Sequence, residues 1–327
     1  MEGIKHALFI MNPNGSPGPD GFTAGFYKKA WKILGGELCG AIHDFFNTEI
    51  LGKSLNTTHM PLIPKGDSPS YVKDFRPISL YNVLYKIASK VLANRLKHIL
   101  DRIITKAQGA FVPGRLIHEN ILMAHEILQH YGWKNISPHV CLKVDIRKAF
   151  DSDWNFLEGA LIFFGFPRKF VALLMACVTS SWFSVVVNGE ICGFFKRERG
   201  LHQGDPVSLS LSVYCMEIFS RTTIAHLSPS AYYPKCKILN ITHLIFADDL
   251  LVFCRGDALA VGQVSTCLDK FALGSNLVAN PDRTNIFFVG INEDEKRGIL
   301  ATTGFVEGEL PFKYLGVPLT SSRLTTA

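Results

Sequence analysis

With 327 residues, 47% of them hydrophobic and 19% charged, the chain has material for one large or two ordinary domains around a packed core. No run of 18 apolar residues indicates a membrane span, and the start Met1-Glu2-Gly3-Ile4-Lys5-His6 lacks the charged-then-apolar pattern of a signal peptide. The net charge of +6 is uneven: residues 1–140 carry 16 Lys and Arg against 10 Asp and Glu, and residues 141–327 carry 18 against 18. A modestly basic lobe beside a neutral, acid-bearing one suits a polyanion ligand; chance asymmetry on a solvated surface is the alternative.

The eight cysteines form no C-x-x-C pair and no His/Cys zinc spacing. They read as reduced thiols of an intracellular protein, mostly in core positions. Along the chain, residues 12–21 hold three Pro and three Gly and read as an irregular loop. Helical spacing of apolar residues predicts a helix from Phe22 to Phe46. Residues 58–65 and 74–80 read as extended segments joined through Gly66 to Pro69. They carry Lys65 and Arg76, two cations able to hold one phosphate chain, or simply two exposed cations at strand ends. A helix over roughly Leu84 to Leu100, a loop at Gln108 to Arg115 and a helix over roughly Glu119 to His130 follow.

Val140 to Asp145 is a β-rich run that ends in an acid. A carboxylate at the end of a buried strand is expensive without a partner, which favours a metal ligand. Helices are predicted near Trp154 to Phe164 and Pro167 to Cys177. Phe183 to Val187 then meets Asn188-Gly189, a strong hairpin signal, with Glu190 to Phe195 as the return strand. In Gly200 to Ser208, two glycines permit close backbone approach to a ligand, and Asp205 and Ser208 suit a helix start. From Leu244 to Phe253, two apolar runs of strand length flank Asp248-Asp249. A tight turn there presents both carboxylates at a hairpin tip, and the like charges call for a counter-ion, most simply a divalent metal. An ordinary polar turn explains that stretch equally well by itself. Asp257 suits the cap of a helix ending near Gly274, and a β-rich run over Ile286 to Val289 follows Asn280 to Thr284.

Taken together, these stretches resemble the reverse transcriptase domain of non-LTR (LINE-type) retrotransposons, closest to the type abundant in plant genomes. The resemblance runs from about Ile4 to Leu324 with the blocks in family order. They are Ser16 to Phe22; Leu62 to Lys65; Asp74 to Leu80; Gln108 to Arg115; Asp145 with Ala149-Phe150-Asp151; Gly200 to Ser208; Phe246 to Asp249; Asn280 to Thr284; and Tyr314 to Leu319. The resemblance implies an α+β, right-hand polymerase fold with fingers, mainly residues 1–140, and palm, mainly 141–327, the thumb absent or truncated. It implies an RNA-directed DNA polymerase that adds nucleotides from dNTPs to a DNA primer 3′-hydroxyl on an RNA template. Two Mg²⁺ ions, with Mn²⁺ as the alternative, would sit on Asp145, Asp248 and Asp249 as catalytic residues and metal ligands. By position, Lys65 and Arg76 would bind the triphosphate, Gln203 and Gly204 would line the nucleotide pocket, and Phe150 would lie under the sugar and exclude a 2′-hydroxyl, plain core packing being its other reading.

Some positions depart from the family pattern. His202 stands for a usual Arg or Lys, Leu209 for a Pro, Arg283 for a Lys, and Asn14-Gly15 precedes the first Pro-Gly where a Lys is common; Ser152-Asp153-Trp154 is one residue short. No endonuclease, RNase H or Cys/His knuckle pattern is present, so a piece of a longer polyprotein is expected, acting inside the cell and in the nucleus if active, away from membranes. The alternative to a competent polymerase is a catalytically inert relic that folds and at most binds nucleic acid.

Overall fold

The computed structural model describes residues 1–128, 137–234, 236 and 241–320. In chain order the helices are α1 (Glu2–Phe9), α2 (Ala24–Lys29), α3 (Trp31–Thr48), α4 (Val83–Ile103), α5 (Ile117–Leu128), α6 (Trp154–Phe163), α7 (Arg168–Thr179) and α8 (Ser208–His226), followed by Ala258–Ser275 and Glu293–Thr303. The strands are β1 (Thr57–Pro64), β2 (Phe75–Pro77), β3 (Leu80–Tyr81), β4 (His139–Asp145), β5 (Trp182–Val187), β6 (Glu190–Lys196), β7 (His243–Phe246), β8 (Asp249–Arg255), β9 (Asn285–Val289), β10 (Val306–Glu307), β11 (Phe312–Tyr314) and β12 (Val317–Leu319). They fall into two compact units: one of Met1–Ile99 with Phe150–Ser212, the other of Leu100–Ala149 with Val213–Ala327.

The first unit holds a sheet in the order β2-β1-β5-β6, with β3 also on β1. Its β5–β6 hairpin turns at Asn188 and Gly189 with φ of 52° and 84°. Positive φ at both turn residues matches the right-handed twist of the flanking strands, which is why Asn-Gly is favoured there. β1 then runs parallel to β5, a pairing that brings residues 57–61 and 182–186 together. Asn56 and Ser180–Ser181 are tied by side-chain bonds at the start of that pair. The helix expected from Phe22 to Phe46 is two helices: Ala30 leaves helical geometry at φ −83°, ψ 4° and ends α2 as α3 begins. The apolar spacing continues across that break, so periodicity conceals it.

The second unit holds a sheet in the order β10-β9-β4-β8-β7. β4 and β8 are inner strands with both faces covered, so they read as apolar runs rather than alternating ones. One face packs Cys141, Leu251, Phe253 and Phe287 against Ala124, Ile127 and Leu128 of α5 and against Tyr314 and Leu319 of the β11–β12 hairpin. Each such buried aliphatic side chain contributes about 1.5–3 kcal/mol. In the bend just after β8, Asp257 caps helix Ala258–Ser275 by accepting the Ala260 N–H at 2.8 Å, a contact worth about 1 kcal/mol.

These units do not follow a contiguous division near residue 140. Residues 100–128 group with β4 and β8 because the chain at 107–109 extends the edge of β7: Ile245 N–H donates to Ala107 O at 2.7 Å and Gly109 N–H to Ile245 O at 2.8 Å. Residues 150–212 group with the N-terminal segment through the β1–β5 pairing. The last residues of the helix predicted over Glu119 to His130 lie outside the described residues, and α5 is described to Leu128. The eight cysteines are thiols, and Cys192 alone among them is exposed.

Candidate active site

The site begins with strand register. β4 and β8 are antiparallel neighbours, and Asp145, the last residue of β4, is the cross-strand partner of Asp249, the first of β8. Directly opposed residues point to the same side of a sheet with Cβ atoms about 4.5–5.5 Å apart. β7 and β8 are joined so that Phe246 faces Asp249, which leaves Ala247 and Asp248 as the turn. The acidic pair is thus divided: Asp248 sits at the tip and Asp249 opens the strand. Ala247 takes φ 59°, a conformation costing a non-glycine residue about 1–2 kcal/mol.

The electrostatics follow from that crowding. Burial, then Asp248, pushes the Asp249 carboxyl above the ordinary carboxylate range, with Asp145 adding to the rise and Lys143 opposing it. Lys143 Nζ is held at 2.9 Å by Lys313 O. Burial raises the Tyr314 hydroxyl, Asn120 draws it back, and Asp249 raises it further; the hydroxyl lies 3.5 Å from Asn120 Nδ2. Asn120 Nδ2 also donates to Ile245 O at 2.9 Å, which ties the β11–β12 hairpin and α5 to β7.

Among the described residues, no three His, Cys, Asp or Glu side chains already converge on a point able to hold a metal ion. The donor set nevertheless fits a hard divalent cation: three carboxylates, two on paired strand ends and one in the adjoining turn, within side-chain rotation of one another. Two of them already raise the protonation range of the third, the like-charge excess a cation relieves.

The remaining expected residues lie in the other unit. Lys65 follows β1 directly, its N–H donating to Asp74 O at 2.8 Å, and Arg76 in β2 is paired with Ile63. The two exposed cations therefore stand on one face as diagonal cross-strand neighbours. Lys65 Nζ rests on Lys73 O at 2.7 Å; Arg76 has no side-chain partner among the described residues. Phe150 is half-buried, and its carbonyl accepts the Leu201 N–H at 2.5 Å, next to the Gly200 to Ser208 stretch. Within that stretch Gln203 O accepts the Ser79 N–H at 2.8 Å. Gly204 has φ +102°, and a Cβ there would lie 2.6 Å from Ser79 O, so only glycine allows the approach. Gln203 Oε1 is buried with no hydrogen-bond partner, a free acceptor beside that backbone contact.

His202 and Asp205 are structural rather than open to ligand. His202 is 1% exposed and shares a 2.8 Å hydrogen bond from Nδ1 with Tyr81 Oη. Burial, then Arg197, lowers its pKa to about 3, so the ring is neutral, which accounts for a histidine where a cation is usual. Asp205 bonds Ser89 and Ser208 and accepts the Val207 N–H at 3.3 Å; it braces the loop before α8 and does not cap the helix. Sequence reading attached no role to Asn280, Thr284 or Asn120. All three are short polar side chains in loops or helix starts, where such residues are common for local reasons, and only the fold sets them beside strand ends.

Residues 63–319 match the family model described as reverse transcriptase (RNA-dependent DNA polymerase). The chain is 28% identical over 281 residues to the transposon TX1 uncharacterized 149 kDa protein of Xenopus laevis, covering 86% of this chain and 21% of that protein. It is 28% identical over 323 residues to the retrovirus-related Pol polyprotein from type-2 retrotransposable element R2DM of Drosophila melanogaster, covering 94% of this chain and 29% of that one. The RNA-directed DNA polymerase from mobile element jockey, also of Drosophila melanogaster, is 24% identical over 267 residues, 78% of this chain and 28% of its own length. The chain thus spans less than a third of each of these relatives.

Proposed function

Because the chain belongs to the reverse transcriptase (RNA-dependent DNA polymerase) family, we propose that it is the RNA-directed DNA polymerase domain of a non-LTR retrotransposon. Its substrates are an RNA template, a DNA primer and dNTPs. The observation that carries this reading is the Asp145–Asp249 register with Asp248 in the adjoining turn. We read the β4–β8 sheet as palm and the β1–β2 face as fingers, so that the fingers–palm division is interleaved along the chain.

In this reading Asp145, Asp248 and Asp249 hold two Mg²⁺ ions, or Mn²⁺. Bound there, the pair supplies a lowered pKa at the primer 3′-hydroxyl and charge neutralisation at the leaving pyrophosphate. Lys65 and Arg76, a flexible ammonium and a planar guanidinium on one face, bind the triphosphate. Gln203 Oε1 accepts from a donor on the incoming nucleotide, and Gly204 keeps the backbone close to Ser79. The Phe150 ring, half-buried rather than sunk in the core, presses on the sugar's 2′ edge, where overpacking costs on the order of 1–3 kcal/mol.

The test is primer extension on an RNA template with Mg²⁺. The expected outcome is extension by the wild-type chain, loss in Asp248→Ala, and entry of ribonucleotides in Phe150→Val at roughly ten- to a hundred-fold above wild type. A folded wild-type chain that extends nothing on any template favours the inert relic. Extension undiminished in Asp248→Ala removes the assignment of the acids.

A further inference from the structure

Asn280 has no part in the reading above. It lies in the loop between helix Ala258–Ser275 and β9, and the fold lays that loop along the residues that follow β4. Ile146 bridges Ala279, Arg147 N–H donates to Val278 O at 2.9 Å, and Asn280 N–H donates to Asp145 O at 2.7 Å. From the other side, Asp145 N–H donates to Thr284 Oγ1 at 3.3 Å.

The side-chain amide is shared between two charged neighbours. Asn280 Nδ2 donates to Asp145 Oδ2 at 3.2 Å. Asn280 Oδ1 accepts from Arg147 Nε at 3.2 Å and Nη2 at 3.0 Å. This division fixes which way the amide points. A guanidinium only donates and an ionised carboxylate only accepts. Turned over, the amide would set N–H against N–H and oxygen against oxygen. Asp282, 3.6 Å from Arg147 Nη2, steadies the guanidinium from outside.

We infer that Asn280 is a positioning residue for Asp145, and that Arg147 acts through it. Arg147 sets the amide; the amide occupies Asp145 Oδ2 and restricts the carboxyl to one orientation; Asp145 Oδ1, which has no hydrogen-bond partner among the described residues, is left free for a hard divalent cation. The inference rests on reading Asp145 as a metal ligand. A carboxylate so held is ordered before the ion arrives, and removing such an outer partner typically costs 10–100-fold in metal affinity.

The experiment measures Mn²⁺ binding to the full chain without substrate, by electron paramagnetic resonance titration, with thermal melting run in parallel. Asn280→Leu is expected to weaken Mn²⁺ binding roughly 10–100-fold, and Arg147→Met to weaken it by less. The double variant should bind like Asn280→Leu alone, since a residue acting through another adds nothing once that other is gone. In primer extension both single variants should lower kcat at limiting Mg²⁺ and recover with excess Mg²⁺, with KM for dNTPs unchanged. A role in loop stability alone would lower the melting temperature and leave Mn²⁺ affinity where it was, and that result overturns the inference, as do additive effects in the double variant. Should Asn280→Leu fail to fold, Arg147→Met, which leaves the loop's backbone bonds in place, decides: unchanged Mn²⁺ affinity overturns the proposal. Asp145→Ala separates the two levels. Wild-type Mn²⁺ affinity in Asp145→Ala shows that the ligand reading fails; loss there with wild-type affinity in Asn280→Leu shows that only the positioning fails.

Discussion

Buried histidines give this protein a pH-dependent weakness that single residues control. Desolvation lowers His202 to about 3 and His243 to about 4 from an ordinary 6.5. His243 is held neutral between Thr242 Oγ1 at 2.7 Å and Ser220 Oγ at 2.8 Å. In the unfolded chain both rings take up a proton below about pH 6.5, while in the folded chain they resist until about pH 4 and 3. Stability is therefore fully present above pH 6.5 and is lost as pH falls through that window, by up to about 1.4 kcal/mol per pH unit for each ring. Burial raises the Asp205 and Glu217 carboxyls; they bind protons earlier in the folded state and offset part of the loss. Denaturant unfolding from pH 7 to pH 4.5 should show the decline, and His243→Gln should flatten it. An unchanged slope in that variant would mean the ring does not carry the effect.

The β7–β8 hairpin shows the cost of a site at the scale of one element. Its turn places Ala247 in the left-handed region and sets Asp248 beside Asp249, which is also opposed by Asp145. Burial, then Asp248 and Asp145, raise the Asp249 carboxyl, so in the absence of a divalent ion the hairpin stores repulsion at that residue, which proteins commonly accept in exchange for function. Asp249→Asn should raise the melting temperature in metal-free buffer at pH 7 and abolish primer extension. A lower melting temperature in that variant would show that Asp249 supports the strand end rather than straining it. Adding Mg²⁺ should raise the melting temperature of the wild type more than that of the variant, because an ion that binds only the folded state stabilises it by mass action.

Across the whole molecule the charge is mildly basic, and the surplus lies in residues 1–140. Contacts to phosphate release counter-ions, so binding to single-stranded RNA should weaken linearly in log K against log salt concentration. Fluorescence anisotropy with a labelled RNA between about 50 and 200 mM salt measures that slope; a flat response would show that the basic surplus does not face the template. Lys65→Ala and Arg76→Ala should reduce triphosphate affinity more than RNA affinity, because both sit on one short strand pair, too small a surface to follow a polynucleotide.

The sequence by itself determined the local structure and the order of the parts. Asn188-Gly189 needs no partner to specify a hairpin turn, Asp257 needs only the next three residues to cap a helix, and β4 and β8 are apolar enough to be recognised as covered strands. The blocks from Ser16 to Leu319 stand in the order of the family to which the chain belongs. Long-range neighbours were decided by the tertiary structure. No local signal sets Asp145 opposite Asp249 across more than a hundred residues, since that register is fixed by two apolar strands closing on one core, and a slip of one residue would turn every side chain to the other face. Asn280 reads as one member of a family block, with no role of its own, until the backbone of its loop joins the end of β4. His202 reads as a lost cation until burial makes a neutral ring the residue that fits. Residues 100–128 join the acid-bearing unit because 107–109 pair with β7, a contact between segments that sequence periodicity treats as unrelated. Capping, turn and periodicity signals act over a few residues and are written locally; pairing and burial are collective, and they exist only once the whole chain has closed on itself.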